Sequence, residues 1–458
     1  MSNLIPHITY YILLILYFLF FAFISWRNIT WAIALIIVLL PSYLIRFHIW
    51  FVPMTLLEGM ILILFASWII KKCKMQNAKC KVTIKNLKLD NWIWPLLAWI
   101  AAATMAMIVS PDKRAALGIW KAYFIEPILF FIVFINTIKT KKDLKLIFWA
   151  MGASAFFVSV LAIYQKFTGW GIPNPLWQAA STRRVTSFFG YPNAIGLYLA
   201  PIIVLFFGFL ATNFRKYFKG SSAVPRISRR SRGGAGVFQF FSFSVVVLAT
   251  LSIIWSRSEG AWLGVLVGII FIGFILSKKS RIITMIAVAI LLIVTLSHPQ
   301  IKTYILREAT FQGVSGKIRL EMWQETVEML CDHLIFGAGL SGYQKIFSPY
   351  HKARHIEVYL YPHNIFLNFY SELGLTGLII FFWIVIKFFK AGLHTIKTFH
   401  LTSYTSHLAI ALMAAMICLL IHGFFDVPYF KNDLSVFFWL LIGLLVVSKN
   451  FKEEQSLS

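Results

Sequence analysis

The sequence predicts an all-α integral membrane protein, and two features support this fold class. Hydrophobic residues make up 59% of the chain and charged residues only 13%, whereas a soluble domain has about 45–50% apolar and about 25% charged residues. Apolar runs of roughly 20 residues, the length that crosses a bilayer core, recur along the chain. Lipid offers the backbone no hydrogen-bond partner, so we expect helices and not strands in these runs. The composition excludes a soluble globular enzyme.

The apolar runs indicate about twelve, or at most thirteen, spans in a single membrane domain, residues 1–458. They lie at residues 8–26, 29–47, 52–70, 92–110, 116–138, 143–165, 191–212, 237–255, 260–277, 282–297, 362–389, 405–424 and 434–448. The run at 29–47 contains Pro41 and Arg46 and is the candidate for a partial or re-entrant segment. The sequence leaves both span counts open, and with them the side of the N-terminus.

The positive charge is distributed between the spans. The chain has 43 Lys and Arg against 17 Asp and Glu, a net charge of +26. Short basic runs between spans are typical of cytoplasmic loops. We therefore expect the basic loops in the cytoplasm, including a disordered connector at residues 213–236, and we expect membrane lipids rather than nucleic acid as partners.

Alternation of the spans places the polar segment 298–361 on the opposite face, as one large extracytoplasmic loop. Ile318, Met322, Val327 and Leu330 recur there at helical spacing, which predicts an amphipathic helix on the outer membrane surface.

The same segment contains two patterns that resemble known motifs. Gly337, Gly339 and Gly342 spell GxGxxG, but no strand precedes them, so we expect a sharp turn and not a dinucleotide site. Four potential metal ligands also lie close together in the sequence, namely His351, His355, Glu357 and His363. Their spacing matches no zinc motif, and we predict no metal site.

Arginines on the predicted outer face are the strongest functional signal. They are Arg183, Arg184, Arg257 and Arg319. Positive residues there oppose the orientation rule, and an anionic partner would explain them. The planar guanidinium holds a phosphate through two parallel hydrogen bonds, which lysine cannot reproduce. Each arginine could instead bind lipid headgroups, and Glu259 could pair with Arg257.

A histidine lies at the same boundary. His363 follows Pro362 where the outer loop enters a span, and a neutral imidazole there can take a proton from an attacking hydroxyl. His422 and Asp426 reach the same face from another predicted helix.

Four segments, in this order, resemble the bacterial O-antigen ligase and polymerase superfamily. They are RVTSFFGYPNAIGLYLAP, SRSEGAWLG, KIRLEMWQETVEMLCDHLIFGAGLSGYQKIF and YPHNIFLNFYSELGLTGLIIFF. The resemblance covers roughly residues 180–390 and implies a GT-C-like membrane glycosyltransferase. Such an enzyme transfers a glycan from a polyprenyl-diphosphate carrier to an acceptor hydroxyl, without nucleotide sugar, cofactor or metal.

The resemblance also implies roles for individual residues. Arg257 and Arg319 match the family's functional arginines, and His363 matches its histidine at the junction of loop and helix. These three are the predicted catalytic residues. The predicted substrate-binding residues are Arg183, Arg184, Asn193, His422 and Asp426. Glu259 departs from the family pattern, which has a smaller residue at that position.

The predicted function is that of an O-antigen ligase-like enzyme in the bacterial cytoplasmic membrane, with its active site facing outward. Its partners would be the lipid-linked glycan donor and a glycan or lipid-glycan acceptor. A repeat-unit polymerase of the same superfamily is the alternative, since it uses the same donor. A transporter or flippase of lipid-linked oligosaccharide is the alternative from another class, although we find no internal repeat typical of transporters.

Overall fold

The computed structural model describes residues 4–50, 52–75, 92–218, 229–352, 357–399 and 403–449, together with Leu89 and Leu401. Over these residues the chain is nearly all helical, and each predicted span coincides with a helix over at least part of its length. This confirms the prediction of a helical membrane protein.

The helices of the first half are α1 (Leu4–Arg27), α2 (Ile29–Val38), α3 (Leu56–Met75), α4 (Ile93–Val109), α5 (Lys113–Ile119), α6 (Glu126–Thr137), α7 (Lys141–Thr168), α8 (Pro175–Gln178) and α9 (Pro192–Phe218). A π-helical turn joins α5 to α6. The helices of the second half are α10 (Arg229–Ser256), α11 (Glu259–Leu276), α12 (Lys278–Ser297), α13 (Pro299–Ala309), α14 (Val314–Asp332), α15 (Tyr343–Phe347), α16 (Ile365–Phe399), α17 (Tyr404–Gly423) and α18 (Asn432–Ser448).

Within the described residues, nine helical segments are long and apolar enough to cross a membrane. Three further apolar helices, α2, α4 and α18, are shorter. The structure therefore supports a polytopic membrane protein without confirming the predicted twelve or thirteen spans. Helix α18 is buried along nearly its whole length, whereas no residue of α12 is buried. Helix α18 thus lies at the centre of the bundle.

A small β-hairpin corrects the all-α prediction. Strands β1 (Arg46–Ile49) and β2 (Val52–Thr55) pair antiparallel, with Arg46 opposite Thr55. In β1 only Phe47 is buried, and it packs near Leu14 and Leu56. Alternating exposure of this kind suits a strand. Because α2 ends at Val38, the apolar run at 29–47 is only partly helical, as expected for an interrupted segment.

The segment predicted as a basic cytoplasmic connector, residues 213–236, is partly helical, which corrects the expectation of a disordered loop. Helix α9 extends to Phe218, and α10 begins at Arg229. Residues 219–228 of the connector lie outside the described residues.

Helices α13, α14 and α15 lie within residues 298–361, and α14 is the helix predicted from the spacing of apolar residues. Met322 and Leu330 are buried, in a small core that includes Tyr343 and Phe347. Val327, which we assigned to the same apolar face, is 49% exposed. The helix therefore packs on its own loop through the expected face except at Val327, and Met329 is buried there as well.

The glycine-rich segment forms a turn that fixes this loop to the bundle. Gly337 and Gly339 have φ values of 61° and 75°, which glycine adopts without steric cost. The N–H of Leu340 donates to the carbonyl of Ala106 in α4 at 3.1 Å. The N–H of Ser341 donates to the Glu372 carboxylate of α16 at 2.6 Å. The expected sharp turn is confirmed, and it positions α14 against two helices of the bundle.

Candidate functional site

His363 and Asp426 form the centre of the candidate site. His363 Nδ1 lies 3.5 Å from Oδ1 of Asp426, which is 1% exposed and lies in the turn between α17 and α18. Burial raises the pKa of the Asp426 carboxyl, but contact with His363 and the charge of nearby His422 lower it to about 2. Since Nδ1 faces a carboxylate, we assign the proton of neutral His363 to Nδ1, which leaves the lone pair of Nε2 free.

Two of the three predicted catalytic residues have a left-handed backbone conformation. The φ values are 47° for His363 and 53° for Arg257. For a residue with a side chain, this conformation costs roughly 1–2 kcal/mol. Such a strained conformation persists only where contacts with the surrounding structure hold the backbone in place. Strained residues of this kind are concentrated at functional sites.

Arg257 lies in the two-residue turn between α10 and α11. Its N–H donates to the carbonyl of Ile254 at 3.1 Å, and its side chain is exposed. The sequence left open a pairing of Glu259 with Arg257, but none of the ion pairs among the described residues includes this arginine. Glu259 instead accepts a hydrogen bond from the Tyr304 hydroxyl of α13. The guanidinium of Arg257 therefore has no carboxylate partner in the described part of the chain.

Arg184 holds this turn in place. Its Nε donates to the carbonyl of Ser256 at 2.9 Å, and its Nη2 lies 3.4 Å from the carbonyl of Arg257. The same Nη2 donates to Asn193 Oδ1 at 3.1 Å, so Asn193 orients the guanidinium. Burial and the charge of Arg257 lower the pKa of Arg184. The structure thus brings together three of the predicted residues.

Arg183 is oriented differently from its neighbour. Its Nη1 donates to the carbonyls of Lys166 and Phe167 at 3.0 and 3.2 Å, at the end of α7. Its Nε donates to the carbonyl of Gln178 at 3.0 Å. These bonds satisfy the last carbonyls of a helix. Arg183 is therefore engaged at the end of α7 and not at the turn that carries Arg257.

His422 connects that turn to the rest of the site. It lies in the last turn of α17 and is 2% exposed. A Cβ added to Gly260, in the first turn of α11, would lie 2.8 Å from Cδ2 of His422. Only a residue without a side chain allows this close packing. The SRSEG segment therefore ends in a glycine that packs directly against the histidine ring.

Arg319 is presented by α14. One turn later, Trp323 Nε1 donates to the carbonyl of Pro362 at 2.8 Å, which ties α14 to the residue before His363. Residues four apart share a helix face. The guanidinium carbon of Arg319 lies 6.0 Å from the ring centroid of Phe425, and its charge is close enough to act on His422. The structure thus places Arg319 near His422, on a helix that also contacts the residue before His363.

Three polar atoms around this centre are buried and have no hydrogen-bond partner among the described residues. They are Arg319 Nε, His422 Nδ1 and Asp426 Oδ2. An unpaired buried polar group costs about 1–3 kcal/mol. Several at one place indicate a site built for a polar ligand.

Sequence reasoning missed an aromatic group next to His363. The ring centroid of Tyr361 lies 4.6 Å from that of His363, and its hydroxyl lies 3.4 Å from the hydroxyl of Tyr191. Lys431 Nζ lies 4.0 Å from the centroid of the Tyr191 ring. One signal was available in the sequence, because Lys431 is a cation in a predicted outer turn, as Arg257 is.

The described residues contain no group of three or more His, Cys, Asp or Glu side chains that could hold a metal ion. The site instead combines two exposed or half-buried arginines with a paired histidine. This arrangement can bind a polyanion and accept a proton at His363 Nε2.

Residues 244–382 match the family model described as O-antigen ligase. No curated protein matches the sequence. Arg257, Arg319 and His363 lie inside the matched segment, whereas Arg184, His422 and Asp426 lie outside it. Together with the apolar helices, the match indicates a bacterial membrane protein. It confirms the resemblance to the O-antigen ligase superfamily that the sequence analysis found.

Proposed function

We propose that this chain is a membrane glycosyltransferase of the O-antigen ligase type. It transfers a glycan from a polyprenyl-diphosphate carrier to an acceptor hydroxyl at the outer face of the cytoplasmic membrane. The observation that carries the proposal is the grouping of Arg319, His422 and Asp426 near His363. Each of the three has one buried polar atom without a hydrogen-bond partner among the described residues. The turn that holds Arg257 packs against the same His422.

The arginines would act on the donor. When the bond between the anomeric carbon and the phosphate oxygen breaks, its electron pair stays on the carrier diphosphate. Guanidinium groups that are already oriented stabilise this negative charge as it develops. Arg257 and Arg319 have the shape and charge for this, and their helices α10, α11 and α14 fix their positions. Arg184 and Asn193 would hold the Arg257 turn.

His363 would act on the acceptor. As the acceptor oxygen attacks the anomeric carbon, its proton passes to Nε2 of His363, and an imidazolium forms. Asp426 stabilises this cation and keeps the proton on Nδ1 throughout. General-base assistance of this kind contributes about 10²–10⁴ in rate. Side chains of this protein would therefore both stabilise the leaving diphosphate and take the proton from the acceptor hydroxyl.

The test is transfer by the purified protein in lipid, with a polyprenyl-diphosphate-linked oligosaccharide, candidate acceptors, chelator and no nucleotide. We expect free carrier diphosphate and an acceptor-linked product. A ladder of product sizes would assign the polymerase reaction, and a single addition would assign the ligase. Donor that moves between leaflets without any product would contradict the proposal and favour a transporter.

A further inference from the structure

Lys431, Tyr191 and Tyr361 form a group beside His363 to which no role has been assigned. We call it the Lys431 cluster. Tyr361 connects it to the site, because its ring contacts His363 and its hydroxyl lies 3.4 Å from that of Tyr191. Lys431 Nζ lies 4.0 Å from the centroid of the Tyr191 ring. All three side chains are partly buried, and each keeps some exposed surface.

The positive charge of the Lys431 ammonium is only weakly neutralised by nearby carboxylates. No carboxylate lies within ion-pair distance of it among the described residues. Asp426 and Asp433 act on its charge only from farther away, and burial lowers the pKa of Lys431. Asp426 is already engaged by His363. A half-buried ammonium with an aromatic ring as its close neighbour is suited to receive an anion.

The base of the cluster is rigid. The N–H of Lys431 donates to the carbonyl of Tyr429 at 2.7 Å. The hydroxyl of Tyr429 donates to the carbonyl of Tyr123 and accepts a hydrogen bond from Trp99 Nε1, at 2.7 and 3.1 Å. Tyr429 and Trp99 are fully buried. The backbone of Lys431 is therefore fixed, as a specific binding site requires.

The cluster and the arginines contact different parts of the site. Arg319 and the Arg257 turn approach His422 and Phe425. The cluster contacts His363 through Tyr361. A donor diphosphate held by the arginines would leave the tyrosine rings available for the second substrate. Tyrosine offers a flat apolar face to a sugar ring and a hydroxyl to its polar groups.

We infer that the Lys431 cluster is the acceptor subsite and that Lys431 selects an acceptor sugar with an anionic substituent, a carboxylate or a phosphate. Tyr191 and Tyr361 pack against the sugar, and the Lys431 ammonium binds the anionic group. The acceptor hydroxyl then lies beside His363. This inference rests on the proposed function and adds the chemical class of the acceptor to it.

The test compares acceptors that differ only in their terminal sugar: a hexose, the corresponding hexuronic acid and the corresponding hexose phosphate. The wild-type protein should transfer to at least one anionic acceptor about 10- to 100-fold more efficiently, in kcat/KM, than to the hexose. Lys431→Met should abolish this preference while transfer to the hexose continues. Lys431→Arg should keep most of it. Lys345→Met, at an exposed lysine of α15, is the control and should keep all of it.

Two outcomes would overturn the inference while leaving the proposed function intact. One is a wild-type protein that transfers equally well to all three acceptors. The other is a Lys431→Met variant that loses the same fraction of activity with each acceptor, since this indicates a structural role for Lys431. Absence of transfer to every acceptor, with donor binding retained, would contradict the proposed function itself.

Discussion

The two sides of His363 are built from different chemical groups. On one side, Arg257 and Arg319 offer guanidinium groups without carboxylate partners among the described residues. On the other side, the Lys431 cluster offers two tyrosine rings and a single ammonium. Planar forked donors suit a diphosphate, whereas aromatic faces suit a sugar. This difference is what the proposed function requires, with two substrates at one end of the bundle and the proton acceptor between them.

Removing the imidazole of His363, which lies between the two sides, should have the largest effect on the transfer rate. His363→Ala should lower the transfer rate about 10²- to 10⁴-fold, because the variant lacks the imidazole that takes the acceptor proton. The measurement is single-turnover transfer by purified protein at matched concentration. His298→Ala, at an exposed histidine that precedes α13, is the control and should behave as wild type. Full transfer by the His363 variant would remove this residue from the mechanism.

Substitution of lysine for arginine tests the arginine side, because it keeps the positive charge and removes the planar pair of donors. Arg257→Lys and Arg319→Lys should each lower kcat about 10²- to 10³-fold, because an ammonium cannot replace the oriented pair of donors. Arg307→Lys, at an exposed arginine of α13, should have little effect. If both lysine variants turn over at the wild-type rate, the hypothesis of bidentate binding to the diphosphate is wrong, and a positive charge alone is enough to stabilise the leaving group.

Asp426 is expected to act through His363. Asp426→Asn should lower kcat about 10- to 100-fold with KM for both substrates nearly unchanged, because the imidazole loses the carboxylate that orients it. Asp426→Glu should restore part of the rate. Steady-state kinetics with each substrate varied in turn will separate the two constants. A variant that raises KM and leaves kcat intact would show that Asp426 binds substrate instead.

The smallest effects distinguish two neighbouring arginines. Arg184→Ala should lower kcat about 10-fold, through the Arg257 turn that it holds with hydrogen bonds typically worth about 0.5–1.5 kcal/mol each. Arg183→Ala removes bonds to the end of α7 and should lower thermal stability with kcat unchanged. The two variants should be compared by transfer rate and by melting temperature. The opposite pattern would reverse the roles assigned to them.

Much of the fold could be predicted from composition and spacing, because a lipid solvent leaves few choices for the backbone. Each apolar run corresponds to a helix over at least part of its length. The hairpin at residues 46–55 was missed, since the run at 29–47 is apolar enough to suggest a full span. The exposed position of Val327 was also missed, because helical spacing does not say which neighbour a helix packs against.

The sequence predicted which residues belong to the candidate site, but not how those residues are arranged. The sequence placed Arg183 and Arg184 together, and only the direction of their hydrogen bonds distinguishes them. The pairing of His363 with Asp426 joins residues that are far apart in the chain, so spacing could not show it. Lys431 could not be predicted in this way, because its single ammonium lacks the forked donors on which the prediction for the arginines rests.

The most direct test of the division into two sides is a comparison of donor cleavage with two acceptors, a neutral one and an anionic one, in wild type and Arg257→Lys. The quantity measured is release of free carrier diphosphate, coupled to formation of product. If the arginines act on the donor alone, the variant loses the same factor, about 10² or more, with both acceptors. A loss that depends on the acceptor would contradict the account, because it would place Arg257 on the acceptor side of His363.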